Sequence, residues 1–371
     1  MHVLPSQASP VALVYRHGRK ASRSRHEIET QWELARQLAK VKGVRLAGEF
    51  EDARRYPAQC YLIPDDTLSA EEARRLGVGS ERDLYGGVVP FPFVATKVIV
   101  HGLPEGAHRA PLGWSHTFGQ QLSALVLPGF SAFTGEDAQK AASLLWNDGA
   151  VRVKRPSGIG GIGQTVVENR EQLEAALADI GDEALLAEGV VLERELQNIE
   201  TLSVGRVIVD ELEASYHGVQ RLTVNNHGHH VYGGSDLVVV RGDFDALTHL
   251  DMSGEARTAI AQARAFDAAV QIGYAGFFAS RRNYDVAWGA EASGRAYGGV
   301  LEQSWRLGGA SGAEIGALKA FKTDPTVRAV RASTWEIYGP KPAVPSDACV
   351  YYHGVDPQAG EITKYYTVEG V

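Results

Sequence analysis

Residues 153–168 read VKRPSGIGGIGQTVVE, and a lysine ahead of clustered glycines is a combination that can bind phosphate. Gly158, Gly160 and Gly163 match G-x-G-x-x-G, the dinucleotide fingerprint, which needs a helix opening directly after the turn. Thr165-Val166-Val167 instead predicts a strand, and the next helix signal begins near Asn169. A Walker loop must end in Gly-Lys-Ser/Thr, which is absent here. A strand, glycine loop and strand folding over phosphates is similar to the flap of protein kinases, but no H-R-D or D-F-G set follows. A plain hairpin tip accounts for one or two glycines, not for four in six residues, including Gly161. The reading that remains is a loop whose bare amides cap phosphates while Lys154, held on a strand, neutralises them.

Other reactive residues narrow the field. Cys60 and Cys349 lie far apart without metal-type spacing, so neither a zinc site nor a disulfide scaffold is expected. His217, His227, His229 and His230 could suggest a metal cluster, but the Asn/Gly setting of 225–230 reads as a solvated turn. No Ser-His-Asp or Cys-His set offers a protein nucleophile. The 371 residues carry a formal charge of −8, which excludes nucleic acid or an anionic membrane held by bulk electrostatics. The apolar run 11–15 is too short for a signal-peptide core or a membrane span, so a cytoplasmic protein is expected.

The elements that must position this chemistry alternate between strand and helix patterns. VALVY (11–15) predicts a buried first strand, and EIETQWELARQLAKV a helix stopped by Gly43. CYLIP (60–64) and an acidic helix from Ser69 complete a small α/β unit. Residues 86–95 read as a linker or crossover, and 124–133 have the same character. Helices are predicted over 135–146 and 170–180, with long strands over 185–196 and 200–214. A helix from about 253 to 271 precedes a hairpin of 283–289 and 297–305. Helices from Ala313 and Thr326 and a β-rich tail close the chain.

Four segments stand in order along this framework. They are Phe93-Val94-Ala95-Thr96-Lys97, the Lys154 loop, the acids Glu193, Glu195 and Glu200 around Leu196, and VLEQSWRLGGASGAE (300–314). Over about residues 90–320 this ordered set resembles the ATP-grasp superfamily. Within it, RLGGASGAE and SRRNYD are similar to a bacterial family, domain of unknown function 3182. The resemblance implies an α/β (α+β) ATP-grasp fold with an N-terminal pre-ATP-grasp domain at 1–90. A central segment at 91–148, a nucleotide lid at 149–215 and a metal- and substrate-binding part at 216–371 would follow.

Residue roles follow from the same resemblance. Lys97, Lys154, Gly158, Gly160, Gly161 and Gly163 would bind the phosphates of ATP, and Lys154 would also act with Arg306 in the reaction. Glu193 would face the adenine amino group, the backbone around Glu195 and Leu196 would read the adenine edge, and Glu200 would hold the ribose. The family's metal strand has the form L-E-x-N-x-R-x-G-G, so Glu302 matches the Mg²⁺-bridging glutamate and Arg306 the arginine at the γ-phosphate. Ser304 replaces the asparagine, a weaker ligand on a shorter arm. For the remaining metal acid, direct alignment points to Phe278, which cannot ligate. Asp285 is preferred, although it reads equally well as an Asx-turn residue after Asn283. Substrate groups are expected from the loop around 16–25, Arg221, Arg281, Gly308, Gly309 and Ser311.

The activity so implied is ATP-dependent activation of a carboxylate as an acyl phosphate, then attack by an amine, with small-molecule substrates and a homodimer as an option. A small-molecule kinase on the same fold and a non-catalytic nucleotide-binding protein are the alternatives.

Overall fold

A computed structural model of the chain describes residues 9–17, 23–56, 59–158, 163–340 and 342–370. Strands β1 (Val11–Tyr15), β2 (Arg45–Glu49) and β3 (Cys60–Pro64) pair in parallel in the order β2-β1-β3. Helix α1 (Arg25–Lys42) makes the first crossover; Glu27 accepts the Ser24 amide at 2.9 Å, and Gly43 ends the helix at φ 79°. All five β1 residues are buried, as expected of a central parallel strand. Strand β4 (Leu68–Ser69), helix α2 (Ala70–Leu76) and β5 (Gly87–Val89) follow. The segment read as a linker, 86–95, therefore contains a strand and a 3-10 turn, Pro92–Ala95, and a second 3-10 turn, Lys97–Val100, follows with its four residues buried.

After α3 (His116–Leu122) comes a four-stranded antiparallel sheet ordered β6-β9-β7-β8. It consists of β6 (Gly129–Ala132), β7 (Val151–Lys154), β8 (Gln164–Val167) and β9 (Val190–Arg194), with helices α4 (Gly135–Leu145), α5 (Arg170–Ile180) and α6 (Asp182–Glu188). The expected long strand over 185–196 is corrected here. The run DEALLAE is helical between Gly181 and Gly189, and only Val190–Arg194 is extended. Leu and Ala favour the helix, and Gly189 breaks it at φ 81°.

The rest of the chain builds an eight-stranded sheet ordered β15-β14-β10-β11-β12-β16-β18-β17. Its first members are β10 (Gln197–Val209), β11 (Leu212–Val224) and β12 (His230–Arg241). The single strand expected over 200–214 is thus two strands joined at Asp210-Glu211, where Asp210 adopts φ 53°. Helices α7 (Phe244–Leu247) and α8 (Gly254–Gly273) precede β13 (Phe278–Ala279), β14 (Arg281–Ala290) and β15 (Ala296–Ser304). Helix α9 (Ser311–Thr323) then leads to β16 (Ala329–Tyr338), β17 (Cys349–Asp356) and β18 (Gly360–Gly370). No helix starts at Thr326: Asp324 accepts its amide and hydroxyl at 2.8 and 2.6 Å, and the β-branched run beyond joins the sheet.

Alternation along the strands gives the large sheet two apolar faces. Val207, Val209, Tyr216 and Leu237 pack with α1 and α9, whereas Leu202, Val204, Tyr284 and Val286 pack with α8. Two of the expected boundaries cut through this pairing. The division at 148/149 separates β6 from its sheet, and that at 215/216 falls inside β11. Among the described residues no helix is long and apolar enough to cross a membrane.

Candidate active site

The β14–β15 hairpin sets Asp285 opposite Glu302 and Asn283 opposite Ser304, so all four side chains share one face. A bulge follows, because Val286 pairs with Val300 and one residue of β15 is left over. Asp285 Oδ1 accepts from Asn283 Nδ2 at 2.8 Å and from Ser203 Oγ at 3.4 Å. Burial and the facing Glu302 carboxylate push Asp285 up to about 6, so the ionised pair calls for a cation between its members. Lys97 supplies one positive group, with Nζ 2.7 Å from Glu302 Oε2. The lysine is buried at 6% exposure, and Gln303 anchors its segment by donating to Thr96 O at 2.8 Å. Phe278 lies on a different sheet, opposite Val88, and is not Glu302's counterpart.

Two facing carboxylates fit a hard divalent ion such as Mg²⁺ when phosphate oxygens complete the shell. Among the described residues no group of three or more His, Cys, Asp or Glu side chains could hold a metal by itself. In the turn 225–230, Asn225 Oδ1 accepts the His227 and His229 amides at 2.9 and 3.0 Å. Ser304 is engaged elsewhere, since its Oγ accepts from Arg281 Nη1 at 3.1 Å.

A second cluster sits on the four-stranded sheet. Lys154 at the end of β7 pairs with the Glu193 carboxylate of β9, and both are almost fully buried. His101 Nε2 lies 3.2 Å from the other Glu193 oxygen. Burial opposes ionisation of Glu193, yet Lys154 and His101 hold its carboxyl below the usual range. The sequence reading gave Glu193 to the adenine amino group; its partners here are the lysine and the histidine. The Gly158 carbonyl accepts from Lys97 Nζ, which ties the start of the glycine loop to the first cluster. Gly163 sits at φ 77° with its carbonyl accepting the Arg155 amide at 3.0 Å, and β8 then runs antiparallel to β7. A strand therefore follows the glycines, which removes the dinucleotide reading. Gly160 and Gly161 lie outside the described residues.

Between β9 and β10, the Glu195 carboxylate pairs with Arg152 Nε at 2.6 Å, and its amide donates to Ala150 O at 3.0 Å. Leu196 is buried, while Glu200 is exposed near the start of β10, opposite Trp288.

The remaining predicted residues divide between site and support. Arg306 follows β15 and lies 3.7 Å from Asp66 Oδ1; burial and the nearby Arg281 lower its pKa. Arg281 is 1% exposed and does not face an open cleft. It donates from Nε and Nη2 to Glu314 at 3.1 and 2.8 Å, and Glu314 also receives Tyr85 OH at 2.5 Å and Tyr216 OH at 2.6 Å. Sequence reasoning gave Arg281 to the substrate; its contacts here are internal and join the β14–β15 hairpin to α9. Arg221 stacks 3.7 Å over the Trp335 ring and bonds Thr334 and Asp236. Gly308 donates to Ser311 Oγ at 3.1 Å, so the Ser311 hydroxyl serves the turn entering α9. A Cβ on Gly309 would lie 2.4 Å from the Tyr232 ring, which requires glycine there.

Sequence reasoning passed over His101, four residues after Lys97, and the acids Asp65 and Asp66 after β3, which meet the loop around 16–25 that it did name. There His17 Nδ1 meets Asp65 at 2.5 Å and Arg23 Nε meets it at 3.2 Å, close to Asp66 and Arg306. The signal available was the Asp65-Asp66 pair directly after CYLIP, since ligands gather at the carboxyl ends of parallel strands.

The model of a family described as Protein of unknown function (DUF3182) matches residues 14–366. No curated protein matches the sequence. Among solved structures the chain is similar to N5-carboxyaminoimidazole synthetase from Staphylococcus aureus, with TM-score 0.53 and 10% identity over 97% of this chain and 93% of that one. The same enzyme complexed with ADP gives TM-score 0.52 at 11% identity over the same shares. An L-amino acid ligase from Bacillus licheniformis gives TM-score 0.50 and 13% identity over 98% and 94%. At such identities the likeness is one of fold, and the fold is ATP-grasp.

Proposed function

This chain belongs to the DUF3182 family and has the ATP-grasp fold, and we propose that it is an ATP-dependent carboxylate–amine ligase. The observation that carries this reading is Asp285 facing Glu302 on the hairpin, with Lys97 joined both to Glu302 and to the glycine loop. That junction brings an oxygen-ligand pair and a cation to the place where the loop would hold phosphates.

In this account Lys97 and Lys154 neutralise the phosphates of ATP, with the glycine loop closing over them. Mg²⁺ held by Asp285 and Glu302 would bind phosphate oxygens and stabilise charge as the γ-phosphoryl group moves. Arg306 binds the same group and the incoming carboxylate. The carboxylate oxygen attacks the γ-phosphorus and ADP leaves; an amine then attacks the acyl carbon, the bond to phosphate breaks with release of phosphate, and the amine loses a proton to give the amide. The loop and Arg306 keep water from the acyl phosphate. Leu196 and the hinge read adenine, Glu200 holds the ribose, and the Gly308-Gly309 turn receives the carboxylate. The neighbouring ADP complex and the L-amino acid ligase accord with this chemistry as relatives in fold.

Hydroxylamine trapping tests the step directly. With Mg-ATP and a panel of carboxylates, the protein should form a hydroxamate with at least one acid. A stable phosphorylated product without free phosphate would mean a kinase instead.

A further inference from the structure

We propose that this site takes one divalent cation, with the Arg281 guanidinium standing where a second ion would need its ligand. The inference rests on the ligase reading for the purpose of the ion and on the hairpin alone for the count. Four side chains share the hairpin face, but only two of them can give negatively charged oxygens. Asn283 already uses its amide on Asp285, and its Oδ1 lies 2.9 Å from Tyr216 OH. Ser304 offers its hydroxyl and carbonyl oxygens, and both accept from Arg281 Nη1 at 3.1 Å. A divalent ion on Ser304 Oγ would share that oxygen with a guanidinium, at about 2 Å from the oxygen itself. Like charges at such range repel strongly in a buried setting.

Arg281 cannot readily move aside. Both it and Glu314 are at most 1% exposed, and Glu314 is fixed in turn by Tyr85 and Tyr216. The same guanidinium lies beneath the glycine turn, since a Cβ built on Gly308 would be 3.6 Å from Nη1 and Nη2. The chain therefore brings a fixed positive group to the serine side of the hairpin, where Arg holds its charge at every working pH. A mobile ion is needed only between Asp285 and Glu302.

Counting bound Mn²⁺ by electron paramagnetic resonance decides the matter, with the protein alone and with the ATP analogue AMP-PNP. One ion lost in Glu302→Gln is expected in both titrations. Two ions that depend on Glu302, or none, would overturn the proposal. Ser304→Ala should keep the count and change Mn²⁺ affinity by no more than about twofold, whereas a loss above about tenfold would make Ser304 a ligand and overturn it. One Glu302-dependent ion with no AMP-PNP binding would leave the count standing and sink the ligase reading.

Discussion

Lys154 and Glu193 form a buried pair on the four-stranded sheet, and the lysine is one of the groups proposed to meet phosphate. Removing the lysine would leave a carboxylate with 1% exposure facing, among the described residues, His101. Lys154→Ala should therefore destabilise the fold by about 3–5 kcal/mol in urea unfolding, as breaking buried pairs does. The pH dependence has a definite sign. Glu193 titrates lower in the folded state than in the unfolded chain, so its contribution is complete above the unfolded value and is lost as pH falls through the lowered one. Acid titration of the wild type should show that loss, and Glu193→Gln should not. Glu302→Gln keeps the shape of the side chain but removes the carboxylate that Lys97 meets, and should abolish ATP turnover while leaving the melting temperature within a few degrees, read by calorimetry. What the sequence offered at this scale was the order of Lys97, Lys154, Glu302 and Arg306, and the structure brings Lys97 to Glu302. The partners of Arg281 and Glu193 were not, since they come from residues 33 and 39 positions away, brought together only by packing.

Strands and turns explain why the clusters form where they do. Gly205 on β10 lies against Tyr216 of the next strand, and a Cβ there would be 2.2 Å from Tyr216 Cζ and 2.5 Å from Arg282 O. Gly205→Ala should push Tyr216 off Asn283 and Glu314, costing about 1–3 kcal/mol and weakening Mn²⁺ binding together. Retention of both stability and metal affinity would argue against the Tyr216–Asn283 link to Asp285. Regular helices could be read from periodicity and caps, and Arg170–Ile180 coincides with its prediction. Two-residue turns inside apolar runs could not: Asp210-Glu211 carries no glycine, and Val209 and Leu212 stand directly on either side of it. The segment 86–95 was obscure for a related reason, since short strands and 3-10 turns have too few residues to show a period.

Across the molecule, the four-stranded and eight-stranded sheets each bring one cluster to a shared site, and the Lys97 segment touches both. Its lysine meets Glu302 of one sheet, and Ser131 of the other donates to Val98 O at 2.6 Å. Nucleotide bound at this junction should stabilise the whole chain, by about 2.7 kcal/mol at a ligand concentration 100 times Kd. A melting temperature indifferent to saturating Mg-ATP would contradict a nucleotide site at this junction. The most direct measurement of the central claim is coupled ADP and phosphate release with Mg-ATP and a mixed pool of carboxylates and amines. The account predicts equal amounts of both products, absent in Glu302→Gln. No ADP from any mixture, together with no ATP binding by calorimetry, would contradict it.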